Sequence, residues 1–232
     1  FVDDPEGANS RWSVPVILRV NGESQRVLLE DGDFDVELDG PVESVIVNAG
    51  GHGFYRVRYS PELLAKIDPA EGDLSAIERY MLIDDAWASV VAGNTAASDF
   101  VAFARGFADE TDAEVWSQLT GCLTALDRLL EGEGRDAMRT IVRELVSPAL
   151  DRIGWEPSEG QSARDLELRG TLIRSLAITG NDQDARERAR GLHARYLEDP
   201  GSIDANVAAA VTGVVAIGAI FVISAALIST GV

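Results

Sequence analysis

The sequence predicts an α+β chain of more than one domain, a small β-sandwich followed by an α-helical solenoid. The solenoid would be a HEAT- or armadillo-like superhelix of antiparallel helix pairs. Three observations predict this. Apolar residues alternate with polar ones as far as Tyr59. From Pro61 onward they recur every three to four positions. Between the two regimes, the stretch from Asn48 to Tyr59 passes from a glycine turn (Gly50, Gly51, Gly53) into strict alternation. The expected domains are residues 11–60 for the sandwich and 61–204 for the helices. Residues 205–232 form an apolar helix, either the last of the array or a membrane-spanning tail.

Composition sets the class. The chain has 232 residues, 46% hydrophobic and 25% charged, ordinary for a folded protein with a real core. Its net charge of −19 argues against nucleic-acid binding, which needs a basic surface to neutralise phosphates. Lys66 is its only lysine. Its single cysteine, Cys122, falls among Leu119, Leu123 and Leu126 and reads as a small buried hydrophobe; one cysteine makes neither an internal disulfide nor a thiolate zinc site. The chain starts at Phe1 without a signal-peptide pattern, so we expect a piece of a longer chain.

Taken in order, residues 1–10 are an acidic lead-in. Trp12, Val14, Val16, Leu18 and Val20 alternate along the first strand, where Pro15 predicts an edge or bulged position. Asn21-Gly22 is a hairpin signal, and Gln25 to Leu29 is the return strand. Asp31, Asp33 and Asp35 have calcium-loop spacing. Val36 stands where the loop needs glycine and Val42 where it needs an acid, so the better reading is a strand with one wet face, Phe34-x-Val36-x-Leu38. Val42 to Val47 leads to the glycine turn. Tyr55, Val57 and Tyr59 then share one face of a last strand, and Phe54, Arg56 and Arg58 the other. Residues 12–59 thus hold about five to seven short strands. Ser60-Pro61 stops the strand and opens a helix.

Leu74, Ile77, Met81, Trp87 and Val91 mark the next helix, which ends near Gly93-Asn94. Ser98-Asp99 opens a shorter one with Phe100, Phe103 and Phe107. Thr111 and Glu114 make a capping box before the stripe Val115, Leu119, Leu123, Leu126 and Leu130, ended by Gly132 and Gly134. Met138 to Val146 follows, with a kink or restart at Pro148. Gly154-Trp155-Glu156-Pro157 is a clear break. Leu168 to Leu176 is helical up to Gly180-Asn181, and Asp184 to Leu197 is a charged helix with a narrow apolar side. From Ala205 to Val232 there is no charge, and Val207 to Ile228 as a helix would reach roughly 33 Å, enough for a bilayer core. Its flanks carry no basic or aromatic anchor.

No constellation for independent catalysis stands out. Asp84 and Asp85 are the best carboxylate pair, but neighbours on a helix point about 100° apart. His52 and His193 are the only histidines, far apart in sequence, and the glycine turn lacks the Lys-Ser/Thr of a phosphate loop.

Four passages carry a family resemblance. They are Arg11-Trp12-Ser13-Val14-Pro15-Val16, the stretch from Asn48 to Tyr59, Glu78-Arg79 with Leu82 to Asp85, and Gly154 to Gln161 with the Leu168-Arg169 helix behind it. In this order they resemble the β-sandwich and C-terminal helical domain of the aminopeptidase N family of zinc metallopeptidases. Gln161 stands where the family usually has Glu. The resemblance implies the non-catalytic C-terminal part of an aminopeptidase, which caps the active-site cavity and helps position peptide substrates. The zinc would belong to an upstream catalytic domain, because this chain lacks both His-Glu-x-x-His and Gly-x-Met-Glu-Asn. The implied partners are that domain and a peptide, whose carboxylate Arg56 and Arg58 are candidates to hold. The expected location is cytoplasmic, with a membrane anchor as the alternative through residues 207–228. The alternative function is a stand-alone helical-repeat binding or scaffold protein with a membrane tail.

Overall fold

The structure is a computed structural model that describes residues 13–30, 35–38, 40–70 and 74–230, with side chains through Ala219. Arg11, Trp12, Asp31, Asp33 and Phe34 lie outside the described residues, as do the acidic lead-in and those parts of the expected strands. The rest is mainly helical, with one small antiparallel sheet. It divides into two compact units, one ending at Asp85 and the other beginning at Ala86.

The first unit contains β1 (Val14–Val20), β2 (Glu23–Leu29) and β3 (Val45–Val47), in sheet order β2-β1-β3. Asn21 and Gly22 have φ of 49° and 86°. Positive φ at both central residues is the hairpin turn whose twist matches its strands. The chain departs here from the expectation for Pro15, because β1 is the central strand. The reason is register: β3 pairs with Leu18, Arg19 and Val20, so among the described residues Pro15 has a strand partner on the β2 side alone.

Three strands are present among the described residues, fewer than the alternation suggested. Residues 35–38 are irregular. Phe54 to Tyr59 keeps the alternating exposure of a strand, with Phe54, Arg56 and Arg58 exposed, but makes no ladder. Extended backbone is enough to alternate side chains; strand pairing needs a neighbour as well. After it, Ser60 caps α1 (Pro61–Leu64), its side chain accepting from the Leu63 amide.

The division between units falls inside α2 (Ala76–Val91). The buried residues of this helix are Glu78, Leu82, Ile83, Asp85 and Ser89, while Ile77 and Val91 are exposed. Apolar spacing had placed Ile77 and Val91 inside. The inner face instead carries Glu78, Asp85 and Ser89 beside Leu82 and Ile83, and those buried polar groups make it the candidate functional site below.

The second unit continues with α3 (Ala97–Ala104), α4 (Ala113–Leu129), α5 (Gly132–Ile153), α6 (Ala163–Arg174), α7 (Gln183–Glu198) and α8 (Ala205–Thr230). Gly93 at φ 73° follows α2, and its amide bonds the Val90 carbonyl. Helix α3 starts at Ala97, ahead of Ser98-Asp99. Phe100 is buried and stacks at a tilt on Trp87, with centroids 5.4 Å apart. The cap of α4 is Asp112, whose carboxylate accepts from the Glu114 and Val115 amides at 2.9 and 3.3 Å. Thr111 stands one residue ahead of the cap, and its amide, like that of Asp112, donates to Glu110 Oε1 at 2.7 Å. Val115, Trp116, Leu119, Cys122, Leu123 and Leu126 form the buried face of α4, and the Trp116 indole donates to the Glu110 carbonyl at 2.9 Å. Gly132 opens α5 and Gly134 lies within it, and the helix runs through Pro148 without ending.

Helix α6 packs against α4, α5 and α8. An added Cβ on Gly170 would stand 3.1 Å from the Asn206 carbonyl oxygen, so the absence of a side chain there lets α8 approach closely. α6 passes into a π-turn at Ser175–Thr179, which Asn181 at φ 51° closes. Val207, Ala210, Val211 and Val214 of α8 are buried. Among the described residues, no helix is long and apolar enough to cross a membrane.

Candidate functional site

The first unit is built around Glu78. A carboxylate in the first turn of a helix is favoured by the dipole, and Ser75-x-x-Glu78 has capping-box spacing. Here the Ser75 amide and hydroxyl donate to Glu78 Oε2 at 2.8 and 2.9 Å. Arg19, from β1, donates to the same oxygen at 3.1 Å and lies 2.9 Å from Oε1. The Gly50 amide reaches Oε1 at 2.8 Å. One buried carboxylate thus ties strand, glycine turn and helix together. Burial pushes the Glu78 carboxyl up, but the donors from Arg19, Gly50 and Ser75 outweigh it and leave it below the usual range. With its lone pairs committed in this way, Glu78 is an organiser and not an acid–base group.

The glycine turn is clamped by Asn48, itself left-handed at φ 63°. Its side chain donates to the Gly53 carbonyl at 2.9 Å and accepts from the Gly53 amide at 2.6 Å. A Cβ on Gly53 would fall 2.1 Å from the Tyr55 ring, so this position requires glycine. The Tyr59 hydroxyl accepts from the Val47 amide at 2.8 Å. Burial, foremost, raises the Tyr59 phenol to about 12.

Arg56 and Arg58 lie on the exposed face of this stretch. Arg56 bonds Asp84 through Nη1, which also reaches Asp85 at 3.4 Å. The Asp85 side chain is 7% exposed. Burial pushes its carboxyl up, against the lowering effects of the Val57 amide and Arg56. The two carboxylates therefore differ in environment, but both are held by one guanidinium.

In the second unit, Arg169 is fully buried. It donates to the Gly154 and Ile153 carbonyls at 2.9 and 3.3 Å and to the Gln161 side-chain oxygen. Its Nη1 is buried without a hydrogen bond, and desolvation depresses its pKa. The Gly-Trp-x-Pro turn and the Leu-Arg helix are thus one assembly, locked by Arg169 and Gln161.

These are stretches that carry the resemblance read in the sequence. The profile of the ERAP1-like C-terminal domain matches residues 44–219. The chain belongs to the ERAP1-like C-terminal domain family. The glycine turn, Glu78 and the Arg169–Gln161 lock of this ERAP1-like domain all fall inside the match. Among its relatives, Aminopeptidase M1-A of Oryza sativa is 28% identical over 203 residues, 82% of this chain and 23% of the relative. Puromycin-sensitive aminopeptidase of Caenorhabditis elegans is 27% identical, covering 92% of this chain and 23% of the relative. Tricorn protease-interacting factor F2 of Thermoplasma acidophilum is 26% identical, covering 86% and 24%. The chain spans about a quarter of the length of these relatives.

The donor set of the described residues does not fit a zinc ion. Among the described residues no three His, Cys, Asp or Glu side chains converge on a common point. His193 is turned to Thr212, 3.2 Å from its hydroxyl, and His52 is an exposed residue of the glycine turn in the other unit. No step through a metal is assigned to this chain.

The sequence offered Arg56 and Arg58 as candidates for a peptide carboxylate and set the Asp84-Asp85 pair aside; the structure brings Arg56, Asp84 and Asp85 together. Sequence reasoning named Glu78, Asn48 and Arg169 within the resemblance but missed them as organising groups. The Ser75-x-x-Glu78 box was the readable signal for the first.

Proposed function

We propose that this chain is the non-catalytic C-terminal part of a longer zinc aminopeptidase, where it caps the active-site cavity and helps position the peptide. The observation that carries this reading is the family match over residues 44–219, to relatives named aminopeptidases of which the chain covers only a quarter. On this reading the zinc and the catalytic residues belong to an upstream domain, and the protein works in the cytoplasm. The architecture that goes with this reading is a sandwich domain over residues 11–60, of which the described residues form one three-stranded sheet, and a helical solenoid over 61–204 followed by the 205–232 helix. The successive approach of α4, α6 and α8 supports the solenoid, because alternate helices of a stacked array share one layer. Arg58, exposed beside Arg56, holds a peptide carboxylate.

The test is aminopeptidase activity with zinc, on this chain and on a version extended upstream. Only the extended version is expected to cleave. Arg58→Ala in that version should raise KM with kcat little changed, the mark of lost uniform binding. Cleavage by the short chain alone, or by neither, overturns the proposal.

A further inference from the structure

The second unit holds a groove of about 920 Å³ between α4, α5, α7 and α8. Five guanidinium groups line it: Arg128 from α4, Arg135 and Arg139 from α5, and Arg186 and Arg190 from α7. Asp127 is the only carboxylate in the lining, so the lining carries five positive charges against one negative, a net +4. This concentration of charge stands in a chain whose net charge is −19.

Internal pairing does not account for it. Asp127 is spent on Arg135, at 3.0 and 2.8 Å, and stands 3.7 Å from Arg139 Nε. That Nε is buried and makes no hydrogen bond. Asp136, 3.2 Å from Arg139, is largely in water. Arg186 uses its own Nε on the Ala177 carbonyl at 2.8 Å. Burial foremost, then the charges of Arg139 and Arg190, push the Arg186 pKa down. Like charges held together in a partly dry groove are unfavourable unless an anion offsets them. The remaining wall suits such an occupant. Thr124 and Thr179 offer hydroxyls 2.9 Å apart, while Val214 and Ile217 keep one side apolar.

We propose that this groove is a binding site for a compact oxyanion carrying two or more negative charges, of the phosphate or polycarboxylate class. Guanidinium forks suit such groups because each presents paired N–H donors to paired oxygens. The site lies in the second unit, apart from Arg56 and Arg58, and does not rest on the aminopeptidase reading.

The experiment is calorimetric titration of the 232-residue chain with pyrophosphate, and separately with citrate, at fixed ionic strength. One-to-one binding is expected, with Kd below about 1 mM for at least one of them. Tighter pyrophosphate assigns the phosphate class, and tighter citrate the polycarboxylate class. The double variant Arg186→Gln with Arg190→Gln should weaken binding at least about tenfold while keeping its circular dichroism spectrum. Should that variant not fold, Arg128→Gln serves instead: it changes only an exposed side chain and should weaken binding about threefold. The proposal is overturned if neither anion binds above a matched chloride control. Affinity unchanged in the folded variants overturns it equally.

Discussion

Arg19 on β1 and Glu78 on α2, 59 residues apart in sequence, meet through two guanidinium nitrogens at 3.1 and 2.9 Å. The Glu78 side chain is 2% exposed and that of Arg19 21%, so this pair is shielded from the solvent screening that makes most surface ion pairs worth little. Breaking a buried pair leaves an uncompensated charge, which is the costly event. Glu78→Gln keeps the size and removes the charge. We expect a loss of about 2–4 kcal/mol in urea unfolding at pH 7. A loss under about 0.5 kcal/mol would mean that Glu78 does not hold the first unit together.

The clamp on the glycine turn gives a second prediction. Asn48→Ala removes both bonds to Gly53 and puts alanine at φ 63°, where a side chain with only a methyl group has no local hydrogen bond to favour it. The expected cost is about 2–3 kcal/mol. Asn48→Gly relieves the backbone strain but not the lost bonds, so it should cost less than alanine. Equal losses would assign the whole effect to the hydrogen bonds.

How far these features were legible in the sequence depends on which force sets them. The Asn21-Gly22 hairpin, the Ser60 cap and the buried stripe of α4 follow from local backbone and apolar patterning, and spacing predicts them. Helix α2 is different. Its inner face holds Glu78, Asp85 and Ser89 beside Leu82 and Ile83, because donors from distant segments satisfy the carboxylates there. A rule that assigns the apolar side to the core places Ile77 and Val91 wrongly, since the compensating partners are about 30 to 60 residues away in the chain. The groove arginines are scattered over three helices and become a group only when those helices assemble. The Phe54 to Tyr59 stretch shows the converse limit. Alternation there is real, but pairing depends on a neighbour that the local pattern does not contain.

Gln161 provides a gain-of-stability test. The Arg169 guanidinium is already buried, and its desolvation is not offset by a carboxylate in direct contact. Gln161 is only partly buried, so a carboxylate there loses less hydration than Arg169 has. Gln161→Glu replaces a neutral acceptor with a charged one, which roughly doubles the strength of such a bond. We expect about 1 kcal/mol of added stability at pH 7, read from the urea midpoint, and no gain below the pKa of the new carboxyl. A loss at pH 7 would show that the Ile153 carbonyl, which accepts from Gln161 Nε2 at 3.0 Å, needs an amide donor there; the Ser158 amide, which donates to Gln161 Oε1 at 3.0 Å, is served by a carboxylate as well.

Asp85 and Glu78 lie seven positions apart on the same face of α2, and their carboxyls are shifted in opposite directions. For Glu78 the folded pKa is below the unfolded one. Its contribution is present above the unfolded pKa, about 4.3, and is lost as pH falls through the folded value. For Asp85 the folded pKa is raised. Its contribution is present below the unfolded pKa, about 3.9, and is lost as pH rises through the folded value. The two substitutions should therefore change the pH dependence of unfolding in opposite ways. Glu78→Gln should flatten the rise in stability between about pH 3 and 5. Asp85→Asn, which keeps an oxygen for the Val57 amide, should steepen that rise and change stability at pH 7 by less than about 1 kcal/mol. Urea midpoints of both variants at pH 3, 4, 5 and 7 make the comparison. Parallel curves would mean that Arg56, and not burial, sets the Asp85 carboxyl.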